Sequence, residues 1–374
     1  MKRKLLATVL SMGMMVVSSL AVFADRAHGE DDSAVGAVYT MTNAADGNKV
    51  VIFNRDEDGT LKKAGSVSTG GAGSGPNPAL GGLDPLGSQH SLVLTRDGRW
   101  LLAVNAGSNE ISAFRVLPDG LELVGKVDSG GKFPVSLAVF HNLVYVLNTG
   151  TPPNITGFNL SHTGRLTPLA GSTRLLISTG AFAQVGFGSQ GNTLVVTDKA
   201  GNDILVYSVN EDGLPTASPV TSPSNGKTPF GFIFDRRGHL LVVEAGTNAV
   251  SSYNILTDDT LQLINGSVPN GQQAACWIAA NERGDVFTAN PGSGTVSAYR
   301  LMAGSGQVTL LDGAAGTGNK PLDLAVTPNG RFLYAVDPAG GGIDAFGIEE
   351  NGSLTNLGPI DGQLSISAQG IAAC

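Results

Sequence analysis

Two residues in this chain carry side chains suited to general acid–base chemistry. His90, in the stretch GSQHSL, is a lone imidazole beside Gln89, and an imidazole titrates near neutrality. Glu244 closes the run HLLVVE ahead of Ala245-Gly246. Glu caps turns poorly, so a carboxylate kept there for chemistry is the alternative to a structural role. The same run-closing position recurs as Asn43, Asn105, Asn148, Asp198, Asn290 and Asp337. With Gln89 these polar side chains make a candidate binding ring. Asp198, Glu244 and Asp337 would offer carboxylate oxygens to a divalent cation, calcium or magnesium. The competing reading is that Asn and Asp bond their own turns, because Gly follows closely in Asn105-Ala106-Gly107 and Asn290-Pro291-Gly292.

What must position these residues is a repeat. Leu92, Leu137, Val185, Phe232, Ile278, Leu324 and Ile371 occupy one register, separated by 45, 48, 47, 46, 46 and 47 residues. A period in the mid-forties predicts four-stranded propeller blades. In each unit an inner strand leads through a turn such as Asp97-Gly98 or Asn329-Gly330 to a second apolar strand. A third strand then ends in an aromatic: Phe53, Phe114, Phe158, Tyr207, Tyr253, Tyr299 or Phe346. One aromatic per repeat at fixed spacing is what wedge packing between blades demands. The last inner strand, AQGIAAC, has nothing after it, and the first strand, AVGAVYT, has no inner strand before it. The fold class that follows is all-β: a seven-bladed β-propeller over residues 34–374, sealed by N- and C-terminal strands sharing one blade. Inner strands begin and second strands end on one face, so the polar ring, His90 and the long linker Ser68–Gln89 gather there. That linker is either a lid or binding loop or a tolerated insertion.

The N-terminus opens with basic MKRK and an uncharged run to Phe23, with Val22-Phe23-Ala24 as cleavage site. This predicts a signal peptide over residues 1–24, a flexible stretch over 25–33, and a secreted or periplasmic protein, with an uncleaved anchor as the alternative. The full chain carries a formal charge of −8; without its leader it would stand near −11, with 20 basic against 31 acidic residues. Such a chain, with no basic cluster, is a poor partner for nucleic acid. No further segment is apolar enough for a membrane, and a monomer is expected. Cys276 and Cys374 fall a blade and a strand length apart, beyond the ~7 Å that bridged Cα atoms tolerate, so two free thiols are expected. Cys276 stands near the channel entrance among Ala274, Ala275 and Trp277, with no base beside it in sequence to activate it.

The repeats LTRDGRWLLAVNAGSNEISAFRV and VTPNGRFLYAVDPAGGGIDAF resemble the seven-bladed lactonase family of 6-phosphogluconolactonases and 3-carboxymuconate cyclases. The resemblance spans the whole chain after its leader and extends to YVTN-type surface and periplasmic propellers. GSQHSL, TPFGFIFDRRG and QQAACW resemble an exported branch of that family. It implies a hydrolase acting on a lactone or related sugar-acid ester at the channel mouth, or else a non-catalytic extracytoplasmic propeller that binds a ligand or protein. The family's catalytic set is an Arg within Pro-Arg-His, a Glu after a second strand, and a His opening another inner strand. At those positions this chain has Pro229-Phe230-Gly231, Ala245 next to Glu244, and Phe182-Ala183-Gln184. The resemblance therefore implies a lactone or sugar-derivative ligand without supplying the residues that would act on it.

Overall fold

The computed structural model describes residues 34–374 apart from 178 and 303. The leader expected over residues 1–24 and the stretch 25–33 lie outside the described residues. Among the described residues the strands form seven antiparallel sheets, each running from an inner strand at the channel to an outer strand at the rim. The middle strands are short apolar runs such as Trp100–Asn105, Leu240–Glu244 and Phe332–Asp337, buried along their whole length. Continuous burial, rather than alternation, follows because a blade packs against a neighbour on both faces. Outer strands such as Gly120–Asp128 and Leu354–Asp361 are largely exposed or half-buried, and a bulge in the pairing of each interrupts simple alternation.

The wedge aromatics behave as their spacing predicts. Phe53, Phe114, Phe158, Tyr207, Tyr299 and Phe346 are wholly buried, and Tyr253 nearly so. Turns between first and second strands reuse one device. Thr95 donates to Asp97 Oδ1 at 2.6 Å and Thr327 to Asn329 Oδ1 at 2.7 Å, and Gly98 and Gly330 follow at φ near +69° and +68°. An L side chain strains at such φ, so glycine recurs there.

Closure is as expected. Gln369–Ala373 pairs antiparallel with Gly36–Met41, in the register Val38 to Ala373 and Thr40 to Ile371, so the first blade is completed by the last strand. Arg55 reinforces the seam by donating from Nε and Nη2 to the Cys374 carbonyl at 3.3 and 3.2 Å. Both cysteines are free.

Candidate active site at the channel mouth

Each inner strand begins at the mouth of the channel, and the long linker after the first blade runs to that point. Gly73 and Gly75 first pair with the Ala44 and Asn43 carbonyls at 2.8 and 2.9 Å, laying the chain over the first blade. Asn77 and Gly82 then close a small turn. From Asp84 onward the chain crosses the channel. Leu86 N donates to Gln369 Oε1 of blade one at 3.1 Å, and Ser88 Oγ donates to the Val135 carbonyl of blade three at 2.8 Å. The Gln89 amide meets the Ala183 carbonyl of blade four at 3.2 Å. Three side chains reach back to this strap. Lys199 Nζ donates to the Gly87 carbonyl at 2.6 Å, and Trp277 Nε1 and Gln369 Nε2 both donate to the Ser88 carbonyl, at 2.8 and 3.1 Å.

Gln89 ends the strap as a surrogate peptide. Its Oε1 accepts from Ile278 N at 3.0 Å and its Nε2 donates to Ile278 O at 2.8 Å, across the channel on blade six. Gly231 of blade five is glycine because a Cβ there would stand 2.1 Å from Gln89 Oε1. Gln184 makes the same pairing with Phe232 N and O, at 2.7 and 2.9 Å.

His90 sits between these two glutamines. Backbone pairing fixes both amide orientations, so each presents an N–H toward the ring: Gln184 Nε2 at 3.1 Å from Nδ1 and Gln89 Nε2 at 3.4 Å from Nε2. A neutral ring can accept from only one of the two, and the Gln184 contact to Nδ1 is the shorter. Burial pulls the imidazole down to about 4, and two facing donors leave an imidazolium nothing to donate to. His90 is thus neutral at pH 7, with its basic nitrogen engaged.

Four further titratable groups share this space. Burial raises the Asp84 carboxyl to about 6; the Lys199 ammonium and the bonds from Gln369 Nε2 and Gly87 N, at 2.9 and 3.0 Å, oppose it. Burial lowers Lys199, and the Asp84 charge opposes that. Its ammonium also lies 4.9 Å from the centre of the Phe230 ring, itself edge-on to Trp277. Asp323 is 1% exposed, with Oδ1 on Leu324 N at 3.0 Å and Oδ2 without a partner. Burial raises its carboxyl to about 8 against the Leu324 and His90 backbone N–H groups, which favour the charged form, and the Asp84 charge adds to the shift. The Cys276 thiol is pushed well up by burial and stays protonated. It is no ready nucleophile.

The other residues singled out by their spacing are engaged at the ends of their second strands, some across to the neighbouring blade: Asn105 Oδ1 accepts from Asn48 Nδ2 of blade one at 3.1 Å and Asn290 Oδ1 from Asn270 Nδ2 at 2.8 Å. Asn105 and Asn290 form matching clamps, donating to Ser112 and Ser297 Oγ at 2.8 Å each, and those serines donate in turn to the Thr69 and Gly313 carbonyls. Asn43 bonds Ser74 on both sides of its amide. Asn148 donates to Ser129 O and Asn154 Oδ1. Asp198 accepts from Ala181 and Ala200 N–H, and Asp337 from Asn319, Lys320 and Gly340 N–H. Glu244 is wholly buried. It accepts from Gly226 N at 2.7 Å and Ser267 Oγ at 2.7 Å, with Ser224, Thr247 and Tyr253 hydroxyls around it. Among the described residues no three His, Cys, Asp or Glu side chains are grouped as metal ligands. The structure thus brings His90 and Gln89 together with Asp84, Gln184, Lys199, Asp323 and Gln369, none of which sequence reasoning had selected. A signal was there for three of them. Gln184 and Asp323 directly precede the register residues Val185 and Leu324, and Gln369 comes two before Ile371, all polar at the start of an apolar inner strand.

The family model described as Lactonase, 7-bladed beta-propeller matches residues 47–176 and 246–362, more than half of the chain. No curated protein matches at the level of sequence. Among solved structures, a putative 6-phosphogluconolactonase from Bacteroides fragilis superposes with a TM-score of 0.71 at 18% identity, covering 92% of this chain and 98% of that one. The periplasmic gluconolactonase of Pseudomonas aeruginosa gives 0.71 at 15% identity, covering 90% and 98%. A virginiamycin B lyase from Staphylococcus aureus gives 0.54 at 14%, covering 76% and 88%. Likenesses at this level of identity speak to the fold.

Proposed function

Since the chain belongs to the seven-bladed β-propeller lactonase family, we propose that it is a hydrolase opening a lactone or related sugar-acid ester at the mouth of its channel. The observation that carries this reading is that the Lys199 ammonium and the Asp84 carboxyl meet the same residue of the strap: Lys199 Nζ donates to the Gly87 carbonyl at 2.6 Å and Asp84 Oδ1 accepts from Gly87 N at 3.0 Å, with burial raising that carboxyl to about 6. Titratable groups displaced by burial and gathered in one place mark candidate acid–base sites. In this reading Asp84, ionised above pH 6, accepts the proton of the attacking water. Lys199 stabilises the charge that develops on the carbonyl oxygen, and Asp84, protonated by that step, returns the proton to the ring oxygen as it leaves. His90, neutral and faced by the Gln184 and Gln89 amide N–H groups, takes part in holding the site rather than taking the proton itself.

Two features bear on the second reading, a non-catalytic extracytoplasmic propeller that binds a ligand or protein. Phe230 and Ala245 stand where the family carries Arg and Glu, the family's His has no match in Phe182-Ala183-Gln184, and the strap fills the mouth. Export to the periplasm or outside the cell and a monomeric state are part of both readings, on the strength of the basic and apolar N-terminus and the sealed sheet edges. A panel of lactones and sugar-acid esters, assayed with EDTA and then with calcium or magnesium restored, separates the readings. Turnover that persists in EDTA supports the carboxylate–lysine site. Turnover that EDTA abolishes and calcium restores points instead to a bound cation, and saturable binding without turnover points to the binding propeller.

A further inference from the structure

The donors at the channel mouth are aimed at carbonyl oxygens, and those oxygens belong to the chain itself. Trp277 Nε1 and Gln369 Nε2 converge on the Ser88 carbonyl, and the Lys199 ammonium holds the neighbouring Gly87 carbonyl. Two N–H groups on one oxygen, with a cation on the next, is the arrangement that polarises an ester carbonyl or grips a carboxylate. The donors come from three elements of the rigid ring, the inner strands of blades one and six and the end of the second strand of blade four. Their acceptors come from a linker. Asp84 completes the arrangement by accepting from Gly87 N and Gln369 Nε2 on the same Oδ1.

The linker has the form of a hinged segment. On one side it leaves the closed turn Asn77–Gly82, where Gly81 and Gly82 adopt φ of +65° and +101°. On the other it is anchored at Gln89, whose side chain is fixed to Ile278 and whose backbone is fixed to Ala183. Between these anchors the strap is tied to the ring by hydrogen bonds and by one core side chain, Leu86, with Leu83 and Pro85 half-buried, against six buried residues in a middle strand such as Trp100–Asn105. A segment held by few apolar contacts and several polar ones opens at lower free energy than the strands beside it.

We propose that residues 83–88 are a built-in surrogate ligand: the strap lays its Gly87 and Ser88 carbonyls on Lys199, Trp277 and Gln369, and a substrate carboxylate or ester carbonyl takes those donors when the strap lifts. This rests on the placing of the hydrolytic site at the channel mouth, and it adds that the resting enzyme is self-occupied and that ligand and strap compete for one set of donors. A sugar-acid ligand suits the site because its carboxylate matches Lys199 and the paired N–H groups, whereas an alkyl group would leave three buried donors unsatisfied.

Hydrogen exchange on the whole protein tests this directly, read at the Leu86 amide and the Trp277 indole N–H, both bonded across the strap. The Leu137 amide, bonded to His90 O within the ring, is the reference. The strap protons should exchange at least about tenfold faster than Leu137, because the strap opens without the ring unfolding. Lys199→Met, which removes the charged hydrogen bond to Gly87, should speed both by a further factor of about ten with Leu137 unchanged. Saturating gluconate should speed the Leu86 amide, because it displaces the strap. If both strap protons exchange at the Leu137 rate in the wild type and in Lys199→Met, the strap is a fixed part of the core and the proposal falls. Fast, gluconate-sensitive exchange without lactone turnover keeps the strap and removes the hydrolase; turnover with a Leu86 amide as slow as Leu137 does the reverse.

Discussion

The side chain of Gln89 bonds both the N–H and the carbonyl of Ile278 on the far side of the channel, at 3.0 and 2.8 Å, so blades two and six are joined through the centre as well as around the rim. Truncating this strut orphans two buried backbone groups at once. Gln89→Leu should lower unfolding free energy by about 1–3 kcal/mol for each group left unpaired, read as a reduced denaturation midpoint at unchanged slope. An unchanged midpoint would mean that the channel is not cross-braced.

Asp323 links stability to pH. Its folded carboxyl holds a proton up to about 8, well above the ordinary range for Asp, so folding favours the protonated form. That contribution is complete below about pH 4 and is lost as pH rises toward 8. Asp323→Asn removes the titration, so the variant should gain on the wild type from about pH 5 to pH 8 and level off above that. Thermal unfolding at several pH values checks it, and a difference independent of pH would contradict the assignment.

Glu244 separates structure from chemistry. Glutamine keeps an oxygen for Gly226 N and can bond the reorientable hydroxyls of Ser267 and Thr247, so Glu244→Gln should cost no more than about 1 kcal/mol. Glu244→Ala leaves Gly226 N unpaired beside a cavity and should cost about 2–4 kcal/mol. Lactone turnover lost in a Glu244→Gln protein of full stability would instead give Glu244 a part in the reaction.

Removing residues 368–374 takes away the inner strand of blade one and exposes the edge of Gly36–Met41. The truncated chain should aggregate or unfold. A stable monomer measured by sedimentation would contradict closure by the shared blade.

The ring itself was legible in the sequence because a propeller writes its packing as a period. Leu92 through Ile371 mark the inner strands, the seven wedge aromatics are buried where the spacing put them, and AQGIAAC pairs with AVGAVYT. The candidate site was legible only in part. His90 and Gln89 could be found as polar residues opening an inner strand, but Asp84 and Lys199 could not, because their meeting depends on the path of a non-repeating linker across the channel. The second-strand residues drew notice for a related reason. Asn105, Asn290 and Glu244 recur by position, and recurrence in a repeat protein here accompanies clamps that tie the ends of second strands to serines, backbone groups and the preceding blade.

The most direct measurement is the pH dependence of kcat/KM for glucono-δ-lactone and related sugar-acid lactones, in the wild type and in Asp84→Asn. The account predicts a rate that rises through about pH 6 as Asp84 ionises, with both the limb and most of the rate lost in Asp84→Asn. Turnover in Asp84→Asn equal to the wild type, with the same limb, would contradict it.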